Sequence, residues 1–251
     1  MDRFPYDLTG PIGSGATLGL IVLQVDETLE QDMRRLLPGG DVAHHVTRIP
    51  SGDELTPDTI ASMERTLPAA AALLPPAAKF DVIGYGCTSG TTLIGADRVA
   101  DLVRQGAATA RITDPLSAAL AALEALDARS LAIVSPYVES VSAPVRRAFE
   151  IRGHDVPATV SFGEEVEARV ARIDPASIRA AAVSVGQEAD AVFLSCTNLR
   201  TLDIIDGLEA ELGKPVLSSN QVLAWHMARL AGVEAGITGP GQVFRLPPAA
   251  G

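Results

Sequence analysis

The residues best suited to chemistry in this 251-residue chain are its two cysteines. Cys87 stands in "VIGYGCTSGTTLIGAD" (82–97), where an apolar run stops abruptly and a knot of Thr, Ser and Gly begins. Cys196 stands in "AVFLSCTNLRTLDII" (191–205), again at the end of an apolar run and again followed by Thr. Each joint reads as a strand running into a helix start, where free N–H groups and the helix dipole lower a thiol pKa. The small polar neighbours are Thr88, Ser89 and Gly90 at one joint and Thr197 and Asn198 at the other. They are poor packing material, and they leave donors free to hold a carboxylate or enolate. Two thiols facing across a cleft suit proton chemistry beside a carboxylate: one thiolate removes a proton, and the other thiol returns one to the opposite face. The same pair can instead add to a double bond and release it after rotation. Neither process needs a metal or an organic cofactor.

Other readings of the cysteines compete with this one. Free cysteines are commonly small buried hydrophobes. A disulfide needs the two Cα atoms within about 7 Å and an oxidising setting. Zinc is disfavoured, because His44, His45, His154 and His226 show no ligand spacing with either cysteine and a catalytic zinc takes more than two protein ligands. The glycine-rich "GPIGSGATLG" (10–19) precedes a strand where a phosphate loop would follow one, so it reads as part of a leader over 1–16.

The elements that must position the cysteines alternate. Strands are expected at 17–24, 41–49, 80–86 and near 109–112, with helices at 26–37, 56–74, 90–105 and 114–126 between them. Thr56 before Pro57 and Asp114 before Pro115 are good helix starts. From "SLAIVSPY" (130–137) the order restarts, with strands near 155–163, 189–195 and "PVLSS", and helices at 138–153, 174–188, "GLEAELG" and 220–232. Such alternation means parallel sheets with crossover helices. The second half reads as a copy of the first, with Leu18–Leu23 matching Leu131–Ser135 and Cys87 matching Cys196. The expected fold is therefore α/β, with two pseudo-symmetric lobes facing one another, each a parallel sheet flanked by helices, and the active site in the cleft between them. The lobes are expected at 17–127 and 128–219, with 220–240 packing back on the first. Ligands gather at the carboxyl ends of such strands, where both cysteines lie.

Composition narrows the function classes. Hydrophobic residues make up 47% and aromatics 4%, which fits buried strands packed by Ala- and Leu-rich helices. A net charge of −11 without any Lys/Arg block opposes nucleic-acid binding. The start lacks the basic-then-apolar order of a signal peptide, and no uninterrupted apolar run approaches ~18 residues. The expectation is a cytoplasmic protein with free thiols, acting on a small carboxylate or amino-acid-type substrate, without membrane or nucleic-acid partners.

With these residues in view, the chain resembles the maleate cis-trans isomerases of the aspartate/glutamate racemase superfamily. The likeness rests on "GLIV…TLE" near the start, "GYGCTSGT" (84–91), "AIVSPYVESV" (132–141) and "LSCTNLRTLDII" (194–205), in order over roughly residues 17–240. The resemblance implies that Cys87 matches the nucleophile that adds to maleate, and Cys196 the cysteine that handles the proton. It implies that Tyr137, in "SPY", turns its hydroxyl to the substrate, and that the enzyme is a homo-oligomer. The arylmalonate decarboxylases of the same superfamily resemble the chain less, because they retain only the cysteine of the second half.

Two departures from the isomerase pattern bear on substrate. Asp26, in "LQVDETLE" (23–30), stands where the isomerases carry an asparagine in "PSSNTTME". A second substrate-binding asparagine falls near Glu167 or Glu164 in "FGEEVEARVARIDP" (162–175), a cluster that includes Glu165 and that otherwise reads as a solvated helix start. An ionised carboxylate accepts hydrogen bonds but cannot donate them, so it repels a dicarboxylate and suits an ammonium or amide. A subgroup linked to ectoine utilisation, whose degradation passes through acylated diamino acids, is similar in this segment. The reading is a cofactor-independent racemase or epimerase of an amino-acid-type carboxylate. Cys87 and Cys196 carry the proton or nucleophile chemistry, assisted by Tyr137. Thr88, Ser89, Thr197 and Asn198 donate to the carboxylate, while Asp26 and Glu167 read the polar group. Maleate isomerisation through a Cys87 adduct, decarboxylation of a malonate, and non-catalytic carboxylate binding are the alternatives.

Overall fold

The computed structural model describes residues 3–37, 39–54 and 56–248. Met1 and Asp2 of the expected leader lie outside the described residues. Residues 3–12 run exposed along the surface, and the chain joins the body where Gly15 N donates to Asp41 O.

The strands are β1 (Ala16–Leu23), β2 (Val42–Ile49), β3 (Phe80–Gly86), β4 (Thr109–Thr113), β5 (Leu131–Ser135), β6 (Thr159–Ser161), β7 (Ala191–Leu194) and β8 (Val216–Ser218). In the first half they are joined by α1 (Leu29–Leu36), α2 (Pro57–Ala71), α3 (Thr88–Ile94) and α4 (Ala96–Gly106), and α5 (Pro115–Ala125) leads to the second. The second half holds α6 (Glu139–Glu150), α7 (Glu167–Val170), α8 (Pro175–Val185), α9 (Ile205–Leu212) and α10 (Ser219–Ala231).

All pairings within the two sheets are parallel, and the strand orders are β2-β1-β3-β4 and β6-β5-β7-β8. The second is the first over again, which is the duplication expected from the sequence. The central strands are buried from end to end, as in "ATLGLIVL" of β1 and "LAIVS" of β5, because helices cover both faces of a parallel sheet. Helix starts are fixed by side chains: Thr56, Asp114, Asp174 and Ser218 each accept from the N–H three residues on. Helix α10 follows the last strand of the second sheet yet packs against α5 and β3 of the first half, so it clamps the lobes together.

The structure corrects three local expectations. The single helix at 90–105 is two helices, broken where Gly95 takes φ 95°, a conformation open to glycine. The strand at 155–163 shrinks to the three-residue edge strand β6. No helix begins directly after Cys196. The chain turns there and becomes helical only at Leu202. Among the described residues, no helix is long and apolar enough to cross a membrane.

Candidate active site

In each sheet the connections leave in opposite directions from the central pair, β1/β3 and β5/β7, which makes their carboxyl ends the switch points where ligands bind. Four of the residues singled out from the sequence sit there. Asp26 follows β1 and Cys87 follows β3; Tyr137 follows β5 and Cys196 follows β7. Asp26 and Tyr137 are thus pseudo-symmetric counterparts, as are the two cysteines.

Cys87 is the cap residue of α3, and its Sγ accepts from Gly90 N at 3.1 Å, with Ser89 Oγ at 3.7 Å. Glycine is required at position 90, because a Cβ would fall 2.8 Å from Cys87 Sγ and 2.6 Å from the Tyr85 hydroxyl oxygen. Cys196 adopts φ 155°, one of two positive values at non-glycine residues among those described, an uncommon conformation for an L side chain. Its N–H donates to Ser219 Oγ at 3.0 Å, and Tyr137 lies beside its sulfur, where a donated hydrogen bond favours the thiolate. Both cysteines are free and almost wholly buried, at 3% and 5% exposure.

Burial overrides the helix-start effect expected at the thiols. It pushes Cys87 up to about 11, with Ser89 and Gly90 pulling the other way, and it holds Cys196 well above the usual thiol range, aided by the Glu167 carboxylate. Burial thus holds both as thiols at neutral pH.

The two carboxylates flagged by the sequence are buried in this cleft. Asp26 Oδ1 accepts from Thr28 N at 2.9 Å and Leu29 N at 2.7 Å, while its Oδ2 has no hydrogen-bond partner. Thr197 Oγ1, which acts on this carboxyl, donates at 3.4 Å to Gly86 O. Burial raises the Asp26 pKa against these backbone donors. Glu167 is the first residue of α7, brought in by Glu167 N donating to Asp53 O at 3.1 Å. Its Oε2 accepts from Asn198 Nδ2 at 2.9 Å, and burial beside Asp26 raises its pKa to about 7. Glu164 instead pairs with Arg169 at the surface, and Glu165 is exposed. The ion pairs nearest the cleft engage Glu30 and Glu27 in place of Asp26 and Glu167.

Asn198 holds the lobes together. Its Oδ1 accepts from Glu27 N at 2.9 Å, its Nδ2 serves Glu167, and its carbonyl accepts from Thr28 Oγ1 at 3.0 Å. Exposed pairs Arg172–Glu27 (2.7 Å) and Arg35–Asp203 (2.5 Å) bridge the same seam. A pocket of about 280 Å³ opens on the seam between Thr28, Asp32, Arg35 and Arg200, short of the thiols.

Three polar residues at the site escaped the sequence reading. Ser219 Oγ accepts the Cys196 N–H and shares a 2.8 Å hydrogen bond with Thr88 Oγ1, tying the two cysteine loops to each other. That bond uses one of the two hydroxyl hydrogens, so the pair holds one surplus donor. Asn220 donates to Asp32 and to Thr197 O, both at 2.8 Å, and burial raises Asp32 to about 6. Ser219 and Asn220 open α10 directly after β8; a polar pair at a strand-to-helix joint was the available signal, as it was at Cys87. Among the described residues no group of His, Cys, Asp and Glu is arranged to hold a metal ion.

Comparison with known proteins agrees with this arrangement. The family model described as arylmalonate decarboxylase matches residues 63–244. The maleate isomerase of Nocardia farcinica is 27% identical over 240 residues, covering 91% of this chain and 95% of that protein. A solved Cys-to-Ser mutant of N. farcinica maleate cis-trans isomerase, with a covalently bound succinylcysteine intermediate, superposes with TM-score 0.84 at 25% identity, covering 92% and 99% of the two chains. A liganded arylmalonate decarboxylase in which one cysteine is removed and another introduced gives 0.81 at 27%, covering 91% and 98%. With two half-copies each delivering one thiol to a shared cleft, and a family match spanning most of its length, the chain is an enzyme of the arylmalonate decarboxylase family.

Proposed function

We propose that the protein is a cofactor-independent isomerase that racemises or epimerises a small amino-acid-type carboxylate. The observation that carries this reading is the polarity of the sealed site. Besides the unpartnered Asn220 Oδ1 and Ser195 Oγ at the flanking joints, it holds a surplus donor at the Thr88–Ser219 pair and an unpartnered acceptor at Asp26 Oδ2, with Glu167 beside that acceptor. A ligand that satisfies both must bring an acceptor and a donor, as a carboxylate next to an ammonium or amide does. Thr88, Ser89 and Thr197 bind the carboxylate, and Asp26 with Glu167 reads the nitrogen. Asn198, whose amide is engaged between the lobes, holds Glu167 in place.

In this reaction one cysteine, as thiolate, takes the α-proton and becomes a thiol. The electron pair passes into the carboxylate as an enolate held by the Thr88 and Ser89 donors. The opposite cysteine gives its proton to the other face and becomes the thiolate, so the pair returns with roles exchanged. Tyr137 donates to Cys196 while that sulfur is ionised. Both thiols are protonated at rest, and the negative charge of Glu167 is one reason. A bound ammonium offsets that charge, so the substrate itself favours the thiolate it needs.

Maleate isomerisation is the second reading. It is favoured by the nearly full-length similarity to maleate isomerases and by the succinylcysteine in a structural neighbour, with Cys87 as the adding thiolate. Proton NMR in D2O separates the two. The panel is maleate, aspartate, glutamate, and diaminobutyrate with its acetylated forms, run with the enzyme and with Cys87→Ser and Cys196→Ser. The proposal predicts exchange of an amino-acid α-proton, lowered at least ~10²-fold in each variant. Conversion of maleate alone would overturn it.

A further inference from the structure

Tyr85 has no part in the chemistry assigned so far, and it is fully buried on β3 two residues before Cys87. Its hydroxyl stands 3.6 Å from Met63 Sδ of α2. The same hydroxyl also borders Cys87 Sγ, since a Cβ on Gly90 would fall 2.6 Å from the one atom and 2.8 Å from the other. One phenol hydrogen therefore faces two sulfurs of unequal strength. A thioether is a weak acceptor, whereas a thiolate draws a charge-assisted hydrogen bond.

We propose that Tyr85 is a switchable donor for Cys87: its hydrogen rests on Met63 Sδ while Cys87 is a thiol and turns to Cys87 Sγ when the thiolate forms. Each reacting sulfur then has its own tyrosine, Tyr85 for Cys87 and Tyr137 for Cys196, delivered from equivalent sheets. This accounts for the tyrosine and the glycine in "YGCTSG" together, because only a residue without a Cβ at position 90 leaves room for the hydroxyl and the thiol at once.

Other groups act on the same equilibrium. Gly90 N–H and Ser89 Oγ of α3 favour the Cys87 thiolate, while Glu167 of α7 opposes it. Tyr137 approaches from the end of β5, and Asp114 at the start of α5 faces Tyr85. Tyr85 differs from all of them in having a second acceptor to leave, and that makes the idea testable in two directions. The inference rests on the reading of Cys87 as a reacting thiol, but its test follows ionisation without turnover, so the two can fail separately.

In a Cys196→Ser background Cys87 is the sole thiol, and its alkylation rate at about pH 7–9, which below the midpoint scales with the thiolate fraction, reports shifts of that midpoint. Tyr85→Phe is expected to raise the Cys87 midpoint by about one to two pH units, the loss of a hydrogen bond to a charged group. Met63→Leu conserves volume and removes the resting acceptor, so it is expected to lower the midpoint by about half a unit. A purely packing role for Tyr85 and Met63 has no reason to move the midpoint in opposite senses. An unchanged midpoint in Tyr85→Phe, or a raised or unchanged one in Met63→Leu, overturns the proposal; if Tyr85→Phe does not fold, Met63→Leu alone decides it.

Discussion

Glu167→Gln should make the protein more stable, and the gain should depend on pH in a way the structure dictates. The Glu167 carboxyl has its pKa raised from 4.5 to about 7, with burial as the leading cause and the neighbouring Asp26 charge added. Because the folded value lies above the unfolded one, the native state keeps a proton that the unfolded chain releases between about pH 4.5 and 7. Stability is lost as pH climbs through that window and levels off above it. At about 1.4 kcal/mol per unit, roughly two and a half units amount to about 3 kcal/mol. The Gln side chain keeps an oxygen to accept from Asn198 Nδ2, so the variant loses the charge without losing the bond. Urea unfolding of both proteins at pH 4 and pH 8 gives the gain at each pH. The gain at pH 8 should exceed that at pH 4 by about 3 kcal/mol; comparing differences cancels the titration of Asp32, while Asp26, coupled to Glu167, is relieved of a neighbouring charge in the variant and adds to the gain. A difference below about 1 kcal/mol, or one of opposite sign, would refute the placement of an uncompensated carboxylate in the cleft.

Two further outcomes follow from the site. Asp26→Asn combined with Glu167→Gln retains the acceptors used by Thr28 N, Leu29 N and Asn198 but removes both charges. It should raise kcat/KM for maleate-to-fumarate conversion by about 10²-fold, from charge repulsion of a few kcal/mol at short range, and lower activity on the amino-acid substrate; steady-state kinetics on both measure it. Ser219→Ala strands the Cys196 N–H and frees the Thr88 hydroxyl to turn from the substrate, so KM should rise about 10-fold with a smaller fall in kcat. A fall in kcat at constant KM would place the effect elsewhere.

Much of this was legible in the sequence, for physical reasons. Parallel strands buried on both faces write themselves as unbroken apolar runs, so β1, β3, β5 and β7 lie within two residues of their expected bounds at every end. The joints stood out because small polar residues after a thiol are poor packing material, although both cysteines and those neighbours are buried. Asp26 stood out as an acid at a strand end, and it is indeed buried there. Position in space was the illegible part. Glu167 was named as a site residue, but no local pattern separates it from Glu164 or Glu165, because its burial is set by a backbone contact to Asp53, 114 residues away. Ser219 and Asn220 had a local signal, a polar pair at a strand-to-helix joint, but that this joint meets the Cys87 loop depends on α10 crossing between lobes. The direction of the thiol pKa values was misjudged for a related reason: the helix start at Cys87 is real, but desolvation between two closed lobes outweighs it.

The central claim is that two thiols exchange protons on opposite faces of one carbon, and the fate of deuterium tests it most directly. A single enantiomer of the amino-acid substrate found active by α-proton exchange is incubated in D2O, and early samples are separated by chirality and analysed by mass. The account predicts deuterium at Cα in the newly formed enantiomer and protium in the recovered starting enantiomer, with both conversions abolished by Cys87→Ser and by Cys196→Ser. Equal labelling of both enantiomers from the first turnover, or turnover that survives loss of either thiol, would contradict it.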